Sequence, residues 1–300
     1  MAFTSRNVHY TVGSDDIVGT FYLPEDNGPR RVGCVVLGHG WGMVAGGDLE
    51  DYARAIVECG LAALTFDYRN LGKSGGMPRQ HIDPWKQVED FRAGISFVRS
   101  QREVDGERIG IWGSSYGGGH ALTVTAIDPR VRCAVSQVPT INSWRAARAR
   151  LDAAAWNAQQ AAFIADREAV FAGAEPATIQ SVSADPAASV AYRGEESYRY
   201  MSGEGQRCPE WRNHTTLASI ELARGYEPGS YLRRITDVPL LMIVADRDTI
   251  TPTDLQREAF ASLATEKALL EVEGGHYAVY QEHFDKTSSA AAEWFASHLK

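Results

Sequence analysis

The pentapeptide Gly113-Ser114-Ser115-Tyr116-Gly117 constrains this 300-residue chain more than any other stretch. It follows the short apolar run Ile109-Gly110-Ile111-Trp112 and opens onto Gly118-Gly119-His120-Ala121-Leu122, so it reads as a strand turning sharply into a helix. A serine hydroxyl is a weak nucleophile at its free pKa, and such an elbow thrusts Ser115 out where a base can reach it. Glycine at 113 and 117 permits the turn, because a Cβ at either position would crowd tightly bent backbone. The helix that starts after Ser115 aims unpaired N–H groups and the positive end of its dipole at charge developing there.

An elbow of this kind needs an acid and then a histidine later in the chain. Val238-Pro-Leu-Leu-Met-Ile-Val-Ala245 reads as a buried strand that ends in Asp246-Arg247-Asp248. Asp248 is favoured as the acid, because it lies a few residues past the strand, in the loop before a helix that Pro252 starts. Asp246 is the alternative, read as a loop-capping carboxylate. A further strand, Lys267 to Glu273, runs into Gly274-Gly275-His276. His276 is the expected general base, taking the Ser115 proton while Asp248 fixes the imidazole tautomer.

The tetrahedral oxygen of such a reaction needs two preorganised N–H donors, each worth about 3 kcal/mol of barrier. One is expected from Tyr116, next to the nucleophile. The other is expected from Trp41, because Val35-Val36-Leu37 runs into the glycine-rich Gly38-His39-Gly40-Trp41-Gly42. His39 is expected to brace that loop by a side-chain hydrogen bond.

Together these segments resemble the α/β-hydrolases. The matching residues are His39-Gly40-Trp41-Gly42, Phe66-Asp67-Tyr68-Arg69-Asn70-Leu71-Gly72-Lys73-Ser74-Gly75, the elbow, Asp248 and Gly275-His276, spread over residues 32–299 around a long insertion. The chain is similar to the dienelactone-hydrolase-like and X-Pro dipeptidyl-peptidase/cocaine-esterase groups, and to fungal polyketide acyltransferases on the same scaffold. Asn70 departs from the pattern, standing where the family usually has glycine. The resemblance implies the α/β-hydrolase fold and acyl-transfer chemistry.

Hydrophobic patterning agrees on an α/β class. Alternation in Val8–Val12 and Ile17–Leu23 suggests an antiparallel hairpin that starts the sheet. Apolar strands are expected near 32–37, 61–66, 108–113, 131–138, 238–245 and 267–273, with helices near 48–59, 84–101, 117–127, 253–264 and 284–298. The result is a doubly wound, mostly parallel eight-stranded sheet, with ligands expected beyond the carboxyl ends of its strands. Residues 1–140 and 231–300 form the expected core. Residues 141–230 break the alternation and read as an inserted helical cap, with one or two helices over 142–172. Trp41, Trp144 and Tyr226 are candidate linings of an acyl or aromatic pocket beneath it.

The remaining features mostly exclude. A net charge of −8 and no basic stripe argue against a nucleic-acid partner. No run of 18 apolar residues occurs, nor an apolar leader in Met1 to Tyr10, so no membrane partner and a cytoplasmic location are expected. Cys34, Cys59, Cys133 and Cys208 lack CxxC spacing and read as reduced thiols. Gly72-Lys73-Ser74 has Asp67 where a phosphate-binding loop needs glycine, and Gly38 to Met43 lacks the third glycine of a dinucleotide fingerprint. No cofactor and no metal are expected. His81 and His120 read as structural, His283 as surface, and Arg145, Arg148 and Arg150 as a solvated helix face.

The expected function is therefore carboxylic-ester hydrolysis through a Ser115 acyl-enzyme, with thioester or amide substrates also open. The alternatives are an acyltransferase using the same triad with an alcohol or amine acceptor, and a non-catalytic binding protein on the same fold. The expected partner is a small-molecule acyl substrate, and a homodimer is left open.

Overall fold

The computed structural model describes residues 2–25 and 30–300. Strands β1 (Phe3–Val12) and β2 (Asp15–Pro24) form the antiparallel hairpin that turns at Gly13. Strand and helix then alternate: β3 (Val32–Gly38), α1 (Asp48–Glu58), β4 (Ala62–Phe66), α2 (Pro84–Ser100), β5 (Val104–Ser114), α3 (Tyr116–Ile127) and β6 (Val131–Gln137). The segment that follows carries α4 (Ser143–Arg150), α5 (Ala153–Phe171), a two-residue β7 (Thr178–Ile179), α6 (Glu195–Arg207), a two-residue β8 (Thr215–Thr216), α7 (Leu217–Arg224) and a 3₁₀ turn at Pro228–Arg234. Strand β9 (Leu240–Ala245), α8 (Thr253–Ser262), β10 (Lys267–Val272) and α9 (Phe284–Leu299) complete the chain.

The main sheet has eight strands in the order β1-β2-β4-β3-β5-β6-β9-β10, and the six from β4 to β10 run parallel. Its inner strands are buried on both faces, which is why they read as continuous apolar runs. Val36, Leu64, Ile111 and Met242 face one half of the core, while Val35, Ala63, Trp112 and Ile243 face the other with Phe295 of α9. Strand β1 starts at Phe3 rather than Val8, and two other strand starts that differ from expectation have a local physical reason. Strand β5 starts at Val104 rather than 108, because Asp105 and Glu107 mask its pairing with Val32 across a bulge. Strand β9 starts at Leu240, after Pro239, which has no N–H for the ladder. Among the described residues no helix is long and apolar enough to cross a membrane.

Side-chain caps set the helix starts. Asp83 Oδ1 accepts from the Trp85 and Lys86 amides, with Pro84 in the first turn of α2. The stretch 142–172 divides into two helices because Asn142 caps α4 and Asp152 caps α5, each accepting an amide hydrogen bond of 2.8 Å. Helix α6 is lashed to α1 by charge. Arg207 bonds Asp48, Asp51 and Glu204, and Tyr200 donates to Asp48 Oδ2 at 2.6 Å. Burial first, and the Glu204 carboxylate second, raise the Asp48 pKa above the ordinary carboxylate range.

Two outcomes follow from these contacts. A Cβ on Gly117 would collide with the carbonyl oxygens of Gly38 and His39, which are backbone and have nowhere to retreat. Gly117→Ala is expected to destabilise the fold by about 2–4 kcal/mol, measured by urea unfolding. A raised carboxyl keeps its proton in the fold at a pH where the unfolded chain has lost it. Stability therefore falls as pH climbs from the ordinary carboxylate range through the raised pKa. Asp48→Asn removes that contribution, so melting temperatures at pH 5 and pH 8 should lie closer together in the variant than in the parent chain.

Candidate active site

Ser115 occupies the turn between β5 and α3 at φ 57° and ψ −116°, a conformation that a residue with a side chain holds only under constraint. The constraint is visible in its backbone. The Ser115 N–H donates to the Gln137 carbonyl at 2.9 Å, and its own carbonyl accepts from Thr140 at 2.9 Å and Gly119 at 3.2 Å. Although Ser115 stands at the N-cap of α3, its hydroxyl makes no capping bond, so Oγ is left for another partner.

That partner is His276. Its Nε2 lies 3.0 Å from Ser115 Oγ and its Nδ1 lies 2.7 Å from Asp248 Oδ2. The three residues selected from sequence thus meet at the carboxyl ends of β5, β9 and β10. Asp248 is held by its loop: Oδ1 accepts from the Ile250 and Thr251 amides at 2.8 and 2.9 Å, and Oδ2 accepts from the Thr251 hydroxyl at 2.7 Å. Burial alone would raise the Asp248 pKa, but the His276 ring and these donors outweigh it and keep the carboxyl below its ordinary value. Asp246 is turned elsewhere, accepting from the Gly274 N–H at 2.8 Å, and so it ties the acid loop to the histidine loop.

The glycine-rich loop after β3 passes against the elbow, close enough that a Cβ on Gly40 would sit 3.3 Å from the Ser115 Cβ. Among the described residues the Trp41 and Tyr116 amides donate to no protein acceptor, which leaves both free beside Ser115. His39 braces this loop, its Nδ1 lying 2.8 Å from the Gly40 carbonyl, and burial lowers its pKa to about 4. Asn70 solves the departure from glycine by adopting φ 69° with its side-chain amide bonded to the His81 carbonyl. Asparagine is among the few residues that take this conformation at low cost. His120 is fully buried between Gln87 and Tyr226, and burial lowers it to about 3.

Two cavities meet at Ser115, and Trp41 and Tyr192 also line both. The smaller, of ≈ 60 Å³, is walled by Tyr200, Tyr277 and Tyr280 and carries Asp48 and Glu204. The larger, of ≈ 420 Å³, runs between the strand ends and helices α4, α5 and α7. Two expected lining residues are in neither wall. Tyr226 is 1% exposed, because its hydroxyl bonds His120 at 2.9 Å and Thr123 at 2.8 Å inside the core. Trp144 is 50% exposed on the outer side of α4, edge-on to Trp156. The arginines of that helix also divide. Arg145 pairs with Glu258 at the surface, while Arg150 lines the larger cavity. Thr251 and Gln256, which support Asp248, carried no sequence signal beyond proximity to it. Tyr277 could have been flagged as the neighbour of His276. The four cysteines are free thiols, and no group of three metal-ligating side chains occurs among the described residues.

The family model for the alpha/beta hydrolase fold matches residues 33–283. A thiohydrolase, aneE, of Aspergillus aculeatus is 32% identical over 263 residues, covering 86% of this chain and 81% of that protein. A polyketide transferase, claH, of Penicillium crustosum is 26% identical over 280 residues, covering 92% of this chain and 88% of its own. The solved alpha/beta hydrolase GrgF from Penicillium sp. sh18 superposes with a TM-score of 0.83 at 21% identity, over 99% of each chain. The family match spans most of the chain, including every strand from β5 to β10 on which the Ser115, Asp248 and His276 cluster stands, and the chain belongs to the α/β-hydrolase family.

Proposed function

We propose that the chain is a serine hydrolase that cleaves a carboxylic ester or thioester through an acyl-enzyme on Ser115, with water as the ordinary acceptor. One observation carries the reading: a single imidazole stands 3.0 Å from a hydroxyl at a strained elbow and 2.7 Å from a buried, ionised carboxylate. In the proposed reaction His276 Nε2 takes the Ser115 proton as Oγ bonds to the substrate carbonyl carbon. The Trp41 and Tyr116 amides then donate to the oxygen that becomes negative. Collapse breaks the bond to the leaving group, and His276 returns the proton to it. A water, deprotonated by His276, releases the acid and restores Ser115. Asp248 stays ionised throughout and holds the Nδ1 proton in place. Residues 141–230 serve as a cap that shields the intermediate from bulk water.

The names of several relatives favour a thioester over an oxygen ester. A second reading, acyl transfer to an alcohol or amine, is favoured by one observation: two cavities open onto the same hydroxyl, giving separate walls for an acyl group and an acceptor. Relatives named as acyltransferase and polyketide transferase agree with it.

Steady-state assays with p-nitrophenyl esters and acyl thioesters should show kcat falling by about 10³-fold or more for Ser115→Ala and His276→Ala. Melting temperatures of both variants should stay near that of the parent chain. Asp248→Asn should cost about 10⁴-fold through the wrong tautomer, and Asp246→Asn distinctly less. A larger loss at Asp246 would reassign the acid. Product analysis with added alcohols or amines separates the readings, because a hydrolase releases free acid and a transferase accumulates the new ester or amide.

A further inference from the structure

The larger cavity beside Ser115 is charged in one sense only. Among the described residues its wall holds Arg150, Arg193 and Arg224 and no aspartate or glutamate, in a chain whose net charge is −8. Its core side presents Ser115, Tyr116 and Thr251, and its helical side presents Arg150, Gln159 and Arg224.

Arg224 is the informative member. It is only 9% exposed, and it has no carboxylate partner within salt-bridge distance among the described residues. Its guanidinium lies 4.2 Å from the Trp156 ring centroid and 4.8 Å from that of Phe163, so two aromatic faces hold it in place. One nitrogen, Nη2, donates to Gln159, while Nε and Nη1 are buried without any hydrogen-bond partner. Burial, opposed by Glu221 and reinforced by the charges of Arg148 and Arg150, disfavours its charged form. An arginine keeps its charge in a protein regardless, so two orphaned donors on a desolvated cation are a standing cost. The Nη1–Nη2 edge of the planar fork matches a carboxylate or phosphate oxygen pair, so an arriving oxyanion takes up Nη1 and the second Nη2 hydrogen and removes part of that cost.

We propose that this cavity is an oxyanion-binding subsite in which Arg224, with Arg150 at the rim, holds a carboxylate or phosphate carried by the molecule whose carbonyl is presented to Ser115. The inference rests on the reading of Ser115 as nucleophile for its placement of the carbonyl, and it names the substrate as anionic. A carboxylate would belong to the far end of the acyl chain, and a phosphate to a thiol leaving group. Among the described residues the smaller cavity has no lysine or arginine in its wall, so the same charge finds no such partner there.

The test is equilibrium binding by calorimetry to the Ser115→Ala protein, which needs no turnover. Monomethyl adipate is titrated against neutral dimethyl adipate, and 4′-phosphopantetheine against neutral pantetheine. At least one anion should bind about tenfold or more tightly than its neutral counterpart, and the pair that shows the preference identifies the source of the charge. Adding Arg224→Gln should abolish the preference, and Arg224→Lys should retain part of it. Where Arg224→Gln does not fold, because the stack on Trp156 is lost, Arg150→Gln decides: a preference reduced about threefold or more upholds the subsite, and an unchanged one overturns it. The proposal is also overturned if neither anion is preferred, or if the preference survives in a folded Arg224→Gln protein. An active hydrolase without anion preference removes this inference alone, and anion binding without ester cleavage removes the proposed function alone.

Discussion

The site depends on carrying one imidazole back across the sheet. His276 follows β10 and Ser115 follows β5, with β6 and β9 between them in the sheet order. Strands stand roughly 4.8 Å apart, so three steps separate the two strand ends by roughly 14 Å. The loops after β9 and β10 must therefore fold over the end of β6 for a 3.0 Å contact to form. They do so by resting on it: the Thr251 hydroxyl bonds the Val138 carbonyl at 2.8 Å, at a residue forced to φ 35°. The two loops are also tied to each other, through the Gly274 N–H on Asp246 and the Arg247 N–H on the Gly274 carbonyl. Asp246 thus ties the two loops together, while Asp248 faces the imidazole.

The surroundings of the elbow are polarised in a way that composition conceals. Burial holds His39 and His120 neutral, so His276 is left as the imidazole next to Ser115 that has a carboxylate at hand. On one side of Ser115 the chain places aromatic rings with two carboxyls, and on the other three arginines with none. The two carboxyls are already answered by Arg207, which bonds both, so the uncompensated charge around the hydroxyl lies on the arginine side.

Much of this was legible in the chain because it rests on local patterns. The elbow, the doubly wound alternation and the order of Ser115, Asp248 and His276 are all written in short stretches, and Asp83 and Pro84 mark the start of α2 without ambiguity. The pairing of Asp48 with Glu204 was not legible, since they stand 156 positions apart and neither sits in a motif. The same holds for Arg224, which reads as an ordinary last-turn basic residue of α7 until α5 brings Trp156 and Gln159 against it. Tyr226 and Trp144 were misplaced for a related reason: aromatic content in 141–230 marks packing, and only the path of the helices decides which rings face the cavity.

The central claim is that Ser115 is a nucleophile activated by His276. The most direct measurement is intact-protein mass spectrometry after treatment with a fluorophosphonate at neutral pH, followed by peptide mapping. One adduct, on Ser115, and none on the Ser115→Ala protein is the outcome this account predicts. No adduct on the unaltered chain, or equal labelling of the Ser115→Ala protein, would contradict it.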